Sequence, residues 1–551
     1  MQRSSVVRLG LIGLCLCLSV QSILASEVAA VVVRPPNWSP ALQAWRAHRA
    51  SQGLLTLELD SQPDPMKLRS ELIALSKQYP TLRYVLLAAD APSLDQLAID
   101  LPERIPTFYL PAEIVSQFGS PNHIASDLPY GDLNGDGSPE LAVGRVPAQT
   151  PQQLAEMLAR IIEYERLPPA ESWRQRIELV AGIGGFGMLL DRAVEQVARS
   201  LISDGIPDHY RLQLTHASCT SPYCPDPSRL ASTVIDQLNQ GSLLWIYIGH
   251  GQVTELDSLQ LGEQLFGILG QPQLEQIDIP QGPPIALFLA CFTGAFDAPV
   301  DCLAEQLVRL PAGPIASLAG SRVTMPYGLS SLAAELLEAC FTERHSRLGD
   351  ILLTAQQRVI EPVDTESQRP AATSRRWIDS LAKWLSPAGH DLQSERREHA
   401  WLVNLLGDPM LRVDHPEPIE LKLPRQATIG QPLLVTGNSP VAGRLRVELA
   451  HRPEDLPNGV VRPRSGQAEL VDQRAQLQQN YHQANQRQLL EVETEVPAGP
   501  FAVELPLEVP RHGSYIIRAE VSTAEHRAAG SGRLLVRPPT PAQLPAYPPQ
   551  P

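Results

Sequence analysis

The chain has 551 residues, 43% of them hydrophobic and 19% charged, enough for several domains with separate cores. A net charge of −15 and a pI near 5.4 exclude an extended phosphate-binding surface, so no nucleic-acid partner is expected. The acidity instead favours solubility.

The first residues read as an export signal. Arg3 and Arg8 supply positive charge, Leu9 to Val20 are apolar, and small residues allow cleavage near Ala25 or Ser26. No later stretch reaches the ~20 apolar residues of a membrane span. The expectation is a signal peptide over 1–26 and a mature protein that is extracytoplasmic, whether secreted, periplasmic or on a surface.

Residues 27–150 alternate strand-like and helix-like runs: 28–33, 54–59 and 84–90 as strands, 40–51 and 66–78 as helices. That rhythm predicts a parallel sheet with helices on its faces. A second α/β unit spans 151–414. Its predicted helices are 151–166, 191–203, 330–341 and 349–359, and its strands 176–181, 243–248, 285–290 and 315–319. Residues 364–396 read as irregular around one helical piece. From 415 to 537 short runs alternate apolar and polar residues between turns, which predicts an immunoglobulin-like β-sandwich. A Gln-rich stretch at 467–489 reads as an insertion or helix outside the core, and 538–551 as a Pro-rich tail.

Seven cysteines are present, of which Cys15 and Cys17 fall in the signal. Outside the cytoplasm the remaining five tend to pair. Cys219 and Cys224 close a short loop. Cys302 and Cys340 are either a second pair or buried small side chains, and their pairing stays open. Cys291 is then the odd thiol.

Two strands end in chemistry. Leu243-Leu-Trp-Ile-Tyr-Ile248 runs into Gly249-His250-Gly251, and Ile285-Ala-Leu-Phe-Leu-Ala290 into Cys291-Phe-Thr-Gly294. Functional groups collect beyond the C-terminal ends of parallel strands. As neighbours, these strands would present a thiol beside an imidazole, the pairing that makes a thiolate nucleophile. The amides of Gly251 and Cys291 would then face a developing oxyanion, and Gly294 would let a substrate backbone approach. A packed cysteine and a hydrogen-bonded structural histidine are the alternative. Asp132-Leu-Asn134-Gly-Asp136-Gly137 places oxygen donors at alternating positions, as a hard cation requires. Asp132, Asn134, Asp136 and Glu140 are the expected ligands of a structural Ca2+. The twelfth loop position is Val143, and a metal-free Asx turn is the alternative. Zinc-peptidase, serine-hydrolase and P-loop motifs are absent.

YIGHG at 247–251 and LACFTG at 289–294 resemble the His and Cys motifs of the gingipain family of cysteine peptidases, family C25. Tyr84–Asp90, Asp127–Gly137, Val143–Pro147 with Tyr164-Glu-Arg166, Asp301–Leu307 and Gly407–Val413 resemble further family stretches in the same order, so the resemblance covers about 28–535. It implies a caspase-like α/β fold in two subdomains followed by an immunoglobulin-like domain. It also implies Cys291 as nucleophile, His250 as its base, Gly251 and Cys291 as oxyanion donors, and protein or peptide substrates. Asp191 resembles the acidic residue that selects basic side chains in arginine-specific members, although Asp is also an ordinary helix start. One place departs from the pattern. The family carries an acidic residue that orients the His after the first strand of the catalytic subdomain, and Ile183 stands there, with Asp191 and Glu255 as possible substitutes. Three outcomes therefore stay open: an endopeptidase, a sortase-like transpeptidase with the same dyad, and an inactive caspase-like binding protein. The sequence leaves the oligomeric state open.

Overall fold

Ten strands hydrogen-bond into one sheet that runs through both α/β units. The computed structural model describes residues 28–96, 101–184, 203, 205–362, 366–457, 459–461 and 473–539. The expected signal peptide and residues 540–551 of the Pro-rich tail lie outside these residues. In chain order the strands of the α/β region are β1 (Val28–Arg34), β2 (Leu55–Asp60), β3 (Tyr84–Leu87), β4 (Phe108–Pro111), β5 (His123–Ser126), β6 (Ala142–Arg145), β7 (Arg176–Ala181), β8 (Arg211–His216), β9 (Leu244–Ile248), β10 (Ser258–Leu261), β11 (Gln264–Gly267), β12 (Ile285–Leu289), β13 (Ala316–Gly320) and β14 (Val403–Leu406). The sheet order is β2-β1-β3-β6-β14-β13-β12-β9-β7-β8, while β4–β5 and β10–β11 form separate ribbons. The near-continuous apolar runs of β1, β9 and β12 follow from this arrangement, because a central strand covered on both faces has no solvent side.

The two α/β halves meet at β14, which pairs antiparallel with β13 and parallel with β6. Buried charge holds this junction. Arg145 is fully buried, and its guanidinium bonds both Asp127 oxygens at 2.7 Å and the carbonyls of Ala89 and Ile105. Arg49 bridges Glu165 and Asp408 at 2.8 and 2.7 Å, and Trp45 Nε1 donates to Asp408 at 2.6 Å. Burial opposes the Glu165 charge, but Arg49 and its other donors hold its pKa down to about 2. The stretches around Asp127, Arg145, Glu165 and Asp408 that resemble family motifs are thus structural.

Several elements differ from the sequence reading. Residues 364–396 contain the helix Pro370–Leu385 and the start of Leu392–Leu402, not one helical piece. Both pack on the helix Pro326–Leu337, and Leu392–Leu402 also lies against β13 and β14. Their many Arg and Glu side chains, such as Arg375 and Glu395, are buried in ion pairs, which hid the helical periodicity. The edge strand β8 went unread because its sequence, RLQLTH, is polar and half-buried. The predicted helix 191–203 falls almost entirely outside the described residues.

Residues 417–537 form a six-stranded and a three-stranded sheet around their own apolar core. Gln488–Val496 and Arg527–Arg537 are two of its strands. The Gln-rich stretch holds the helix Arg474–Asn485, and it does reach the core: Leu477 is fully buried in the α/β cluster. This helix covers the exposed edge of β8. Asn485 both accepts from Leu214 N and donates to Leu214 O at 2.9 Å, as a neighbouring strand would. No helix among the described residues is long and apolar enough to cross a membrane.

Five thiols are free among the described residues. Cys219 and Cys224, expected to close their loop as a disulfide, are both buried free thiols here. Cys302 caps the helix Leu303–Arg309 with Glu305, whereas Cys340 is buried near Tyr210. Burial pushes the Cys340 thiol up to about 12, the behaviour of a packed side chain.

Candidate active site

β9 lies between β7 and β12, all parallel, with Ile248 in register with Leu289 on one side and Ala181 on the other. His250 and Cys291 each stand two residues past that register, so they leave the same rim of the sheet. The hydrogen-bond pattern continues one step beyond the strands, from Gly249 N to Leu289 O at 3.3 Å. The loops then touch. A side chain at Gly251 would put its Cβ 2.7 Å from the Cys291 carbonyl oxygen and 2.7 Å from Thr293 Cγ2, so glycine is required there by contact.

Cys291 is half-buried. Its Sγ accepts the Thr324 backbone N–H at 3.3 Å and lies 3.5 Å from Thr324 Oγ1. An N–H aimed at sulfur favours the thiolate. The next residue, Phe292, has φ 56° and donates its N–H to Arg322 O at 3.1 Å. This left-handed turn is locked by the buried Arg322–Asp297 pair at 2.6 Å. Thr324 is fixed in turn: Met325 N donates to His399 Nε2 at 2.7 Å, and His399 Nδ1 bonds Glu395 O at 2.7 Å. Burial holds the His399 pKa below the usual range, so it serves as a neutral acceptor. Sequence reading missed Thr324. The available signal was its place after β13, the strand beside β12.

His250 is half-exposed. Beneath its backbone lies Asp257, a residue the sequence reading did not select. One carboxylate oxygen, Oδ2, accepts the His250 N–H at 3.0 Å, the Ile183 N–H at 3.2 Å and the Tyr247 hydroxyl at 3.1 Å. The Tyr247 hydroxyl also donates to His250 O at 2.8 Å. Burial raises the Asp257 pKa, against the hydrogen bonds and the neighbouring His250 charge. Ile183, at the place of the family's acidic residue, contributes only its backbone N–H to this group.

The other expected residues divide. Glu255 is exposed, and its bonds to the hairpin run through its backbone. Asp191 lies outside the described residues. Gly294 is not a substrate platform: it is buried, and a Cβ there would meet Ala319 at 2.7–2.8 Å, so β13 imposes the glycine. In the Asp-rich loop, Asp132 accepts from Gly135 N and Gly137 N, and Asn134 Nδ2 reaches Asp136 at 3.1 Å and Glu140 at 2.6 Å. The four side chains therefore share one loop, with carboxylates partnered by N–H groups. Among the described residues the tighter acidic cluster is Asp90, Asp301 and Glu305, where Arg309 supplies the cation.

The sequence model of peptidase family C25 matches residues 24–414. Gingipain R2 of Porphyromonas gingivalis is 27% identical over 206 residues, 36% of this chain and 26% of the relative. Gingipain R1 of the same organism is 26% identical over 206 residues, 36% of this chain and 19% of the relative. The match thus spans about a quarter or less of these curated relatives. The crystal structure of the Arg-specific cysteine proteinase gingipain R superposes with a TM-score of 0.51 and 17% identity, covering 93% of this chain and 98% of that one. A structure described only as a protease gives 0.52 and 15%, covering 93% and 97%.

Proposed function

The chain belongs to peptidase family C25, and on that premise we propose that it is an exported cysteine endopeptidase acting through Cys291 and His250. The observation that carries this reading is the register of β9 with β12, which ends two neighbouring strands on a histidine and a cysteine whose loops touch. In this reading His250 takes the Cys291 proton, and the thiolate attacks the scissile carbonyl. The amides of Gly251 and Cys291 receive the oxyanion. The imidazolium returns its proton to the leaving amine, and a thioester remains. Water, deprotonated by His250, then hydrolyses the thioester and frees the thiol. The Thr324 N–H supports the thiolate before attack.

Asp191 is proposed as the carboxylate that favours Arg or Lys before the cleaved bond, since the gingipain R relative is named as Arg-specific. Ca2+ is proposed as a structural ion of the loop bearing Asp132, Asn134, Asp136 and Glu140. That oxygen-only set suits a hard cation, and a chelator that lowers the melting temperature would support it. A second reading, an inactive caspase-like binding protein, is favoured by Ile183 alone. Labelling with a peptidyl electrophile carrying Arg at P1 separates the two. Stoichiometric labelling that is lost in Cys291→Ala establishes the nucleophile, and weaker labelling by an Ala-P1 probe establishes the basic preference. No labelling, even after limited proteolysis, favours the binding protein.

A further inference from the structure

We infer that Asp257 is the positioning residue of His250, replacing from another loop the acidic group that the chain lacks at Ile183. The inference rests on the peptidase reading above. Three elements converge on its carboxylate: the segment after β7 through Ile183 N–H, the segment after β9 through His250 N–H, and β9 itself through Tyr247. The space is made by two glycines. A Cβ at Gly182 would stand 2.4 Å from Asp257 Oδ2 and 2.6 Å from the Tyr247 oxygen, and one at Gly249 would stand 2.6 Å from the same oxygen. Neither position tolerates a side chain while the Tyr247–Asp257 pair is seated there.

The Tyr247 proton lies between two acceptors, His250 O at 2.8 Å and Asp257 Oδ2 at 3.1 Å. The hydroxyl therefore ties the carboxylate to both backbone faces of the histidine. An anion held in this way fixes the loop that carries the imidazole, and it favours the imidazolium that stands beside a thiolate. Among the described residues, the titratable groups on the packed elements are Tyr247 of β9, Asp257 before β10 and Cys291 after β12. The described part of the segment after β7 is Gly182, Ile183 and Gly184, and Glu255 is exposed.

Asp257→Asn keeps an oxygen acceptor and removes the charge, whereas Asp257→Ala removes both. Two readouts test the inference. The first is the pH dependence of Cys291 alkylation by iodoacetamide. The second is the His250 titration followed by NMR in a Cys291→Ala background, which needs no activity. In Asp257→Asn the His250 midpoint is expected to fall by about 1 unit. The alkaline limit of the thiolate–imidazolium plateau should fall with it, while the melting temperature stays near wild type. Asp257→Ala should in addition lower the maximal alkylation rate by about tenfold as the loop loosens. An unchanged His250 midpoint and an unchanged alkylation profile in folded Asp257→Asn would overturn the inference and leave the peptidase reading intact. A wild-type Cys291 no more reactive than an ordinary thiol would instead overturn the peptidase reading, while a shifted His250 midpoint in Asp257→Asn would still uphold the link to His250.

Discussion

At the middle of the sheet the Arg145 guanidinium meets two carboxylate oxygens and carbonyl groups, and it is wholly buried. At the ends of β9 and β12, His250 and Cys291 are half-exposed on glycine-lined turns. The same sheet carries both regions. In the junction the buried Arg49 and Arg145 are each ion-paired, because an unpaired buried charge would cost several kcal/mol. At the rim Asp257 and Arg322 take hydrogen bonds from the backbone of the turns, and the Thr324 N–H meets the Cys291 sulfur. The backbone is thereby held while the side chains of His250 and Cys291 stay partly exposed. Stability is concentrated where chemistry is absent.

The sharpest way to break this contrast is at the nucleophile. Cys291→Ala should abolish peptidase turnover, a loss of at least ~10⁴-fold, while changing unfolding free energy by less than ~1 kcal/mol. A variant that unfolds instead would make Cys291 a core residue. Arg145→Ala should do the reverse. It leaves Asp127 buried and unpaired, and it should cost about 3–5 kcal/mol in denaturant unfolding. Glu178 lies between the two regimes. It is buried on β7 with no hydrogen-bond partner for either oxygen, and Arg176 is 3.9 Å away.

Burial raises the Glu178 pKa from 4.5 to about 8. The native state thus holds a proton that the unfolded chain releases above about 4.5, so this contribution is full at low pH and is lost as pH rises to about 8. Glu178→Gln should flatten the fall in stability between pH 5 and pH 8, by on the order of a few kcal/mol. Urea titrations at the two pH values check it. The smallest effect is expected at Gly251→Ala, where the added methyl presses on the Cys291 carbonyl. It should lower kcat/KM by about 10–100-fold, ~1.4–2.7 kcal/mol, with little change in melting temperature. A fully active Gly251→Ala would mean that the two loops do not need their contact.

The sheet strands with long apolar runs were legible because burial on both faces leaves no polar position in them. The helices at 370–402 and the strand β8 were not, because their buried faces carry Arg, Glu and Gln paired across the fold, as with Arg375 and Glu335. The site was legible in the same uneven way. His250 and Cys291 follow directly from strands whose ends the sequence marks with glycine, so a parallel neighbour relation was enough to bring them together. Thr324 and Asp257 carry no such mark.

The sequence by itself determined the two candidate site residues, the α/β rhythm and the sandwich texture, since each is a local pattern of apolar spacing and turn residues. Only the tertiary structure decided which strands are neighbours, and that β14 fuses the halves into one sheet. It alone brought the Asp257 carboxylate to the backbone N–H groups of His250 and Ile183. Hydrogen bonds between residues far apart in the chain depend on register and loop path, and composition does not encode either.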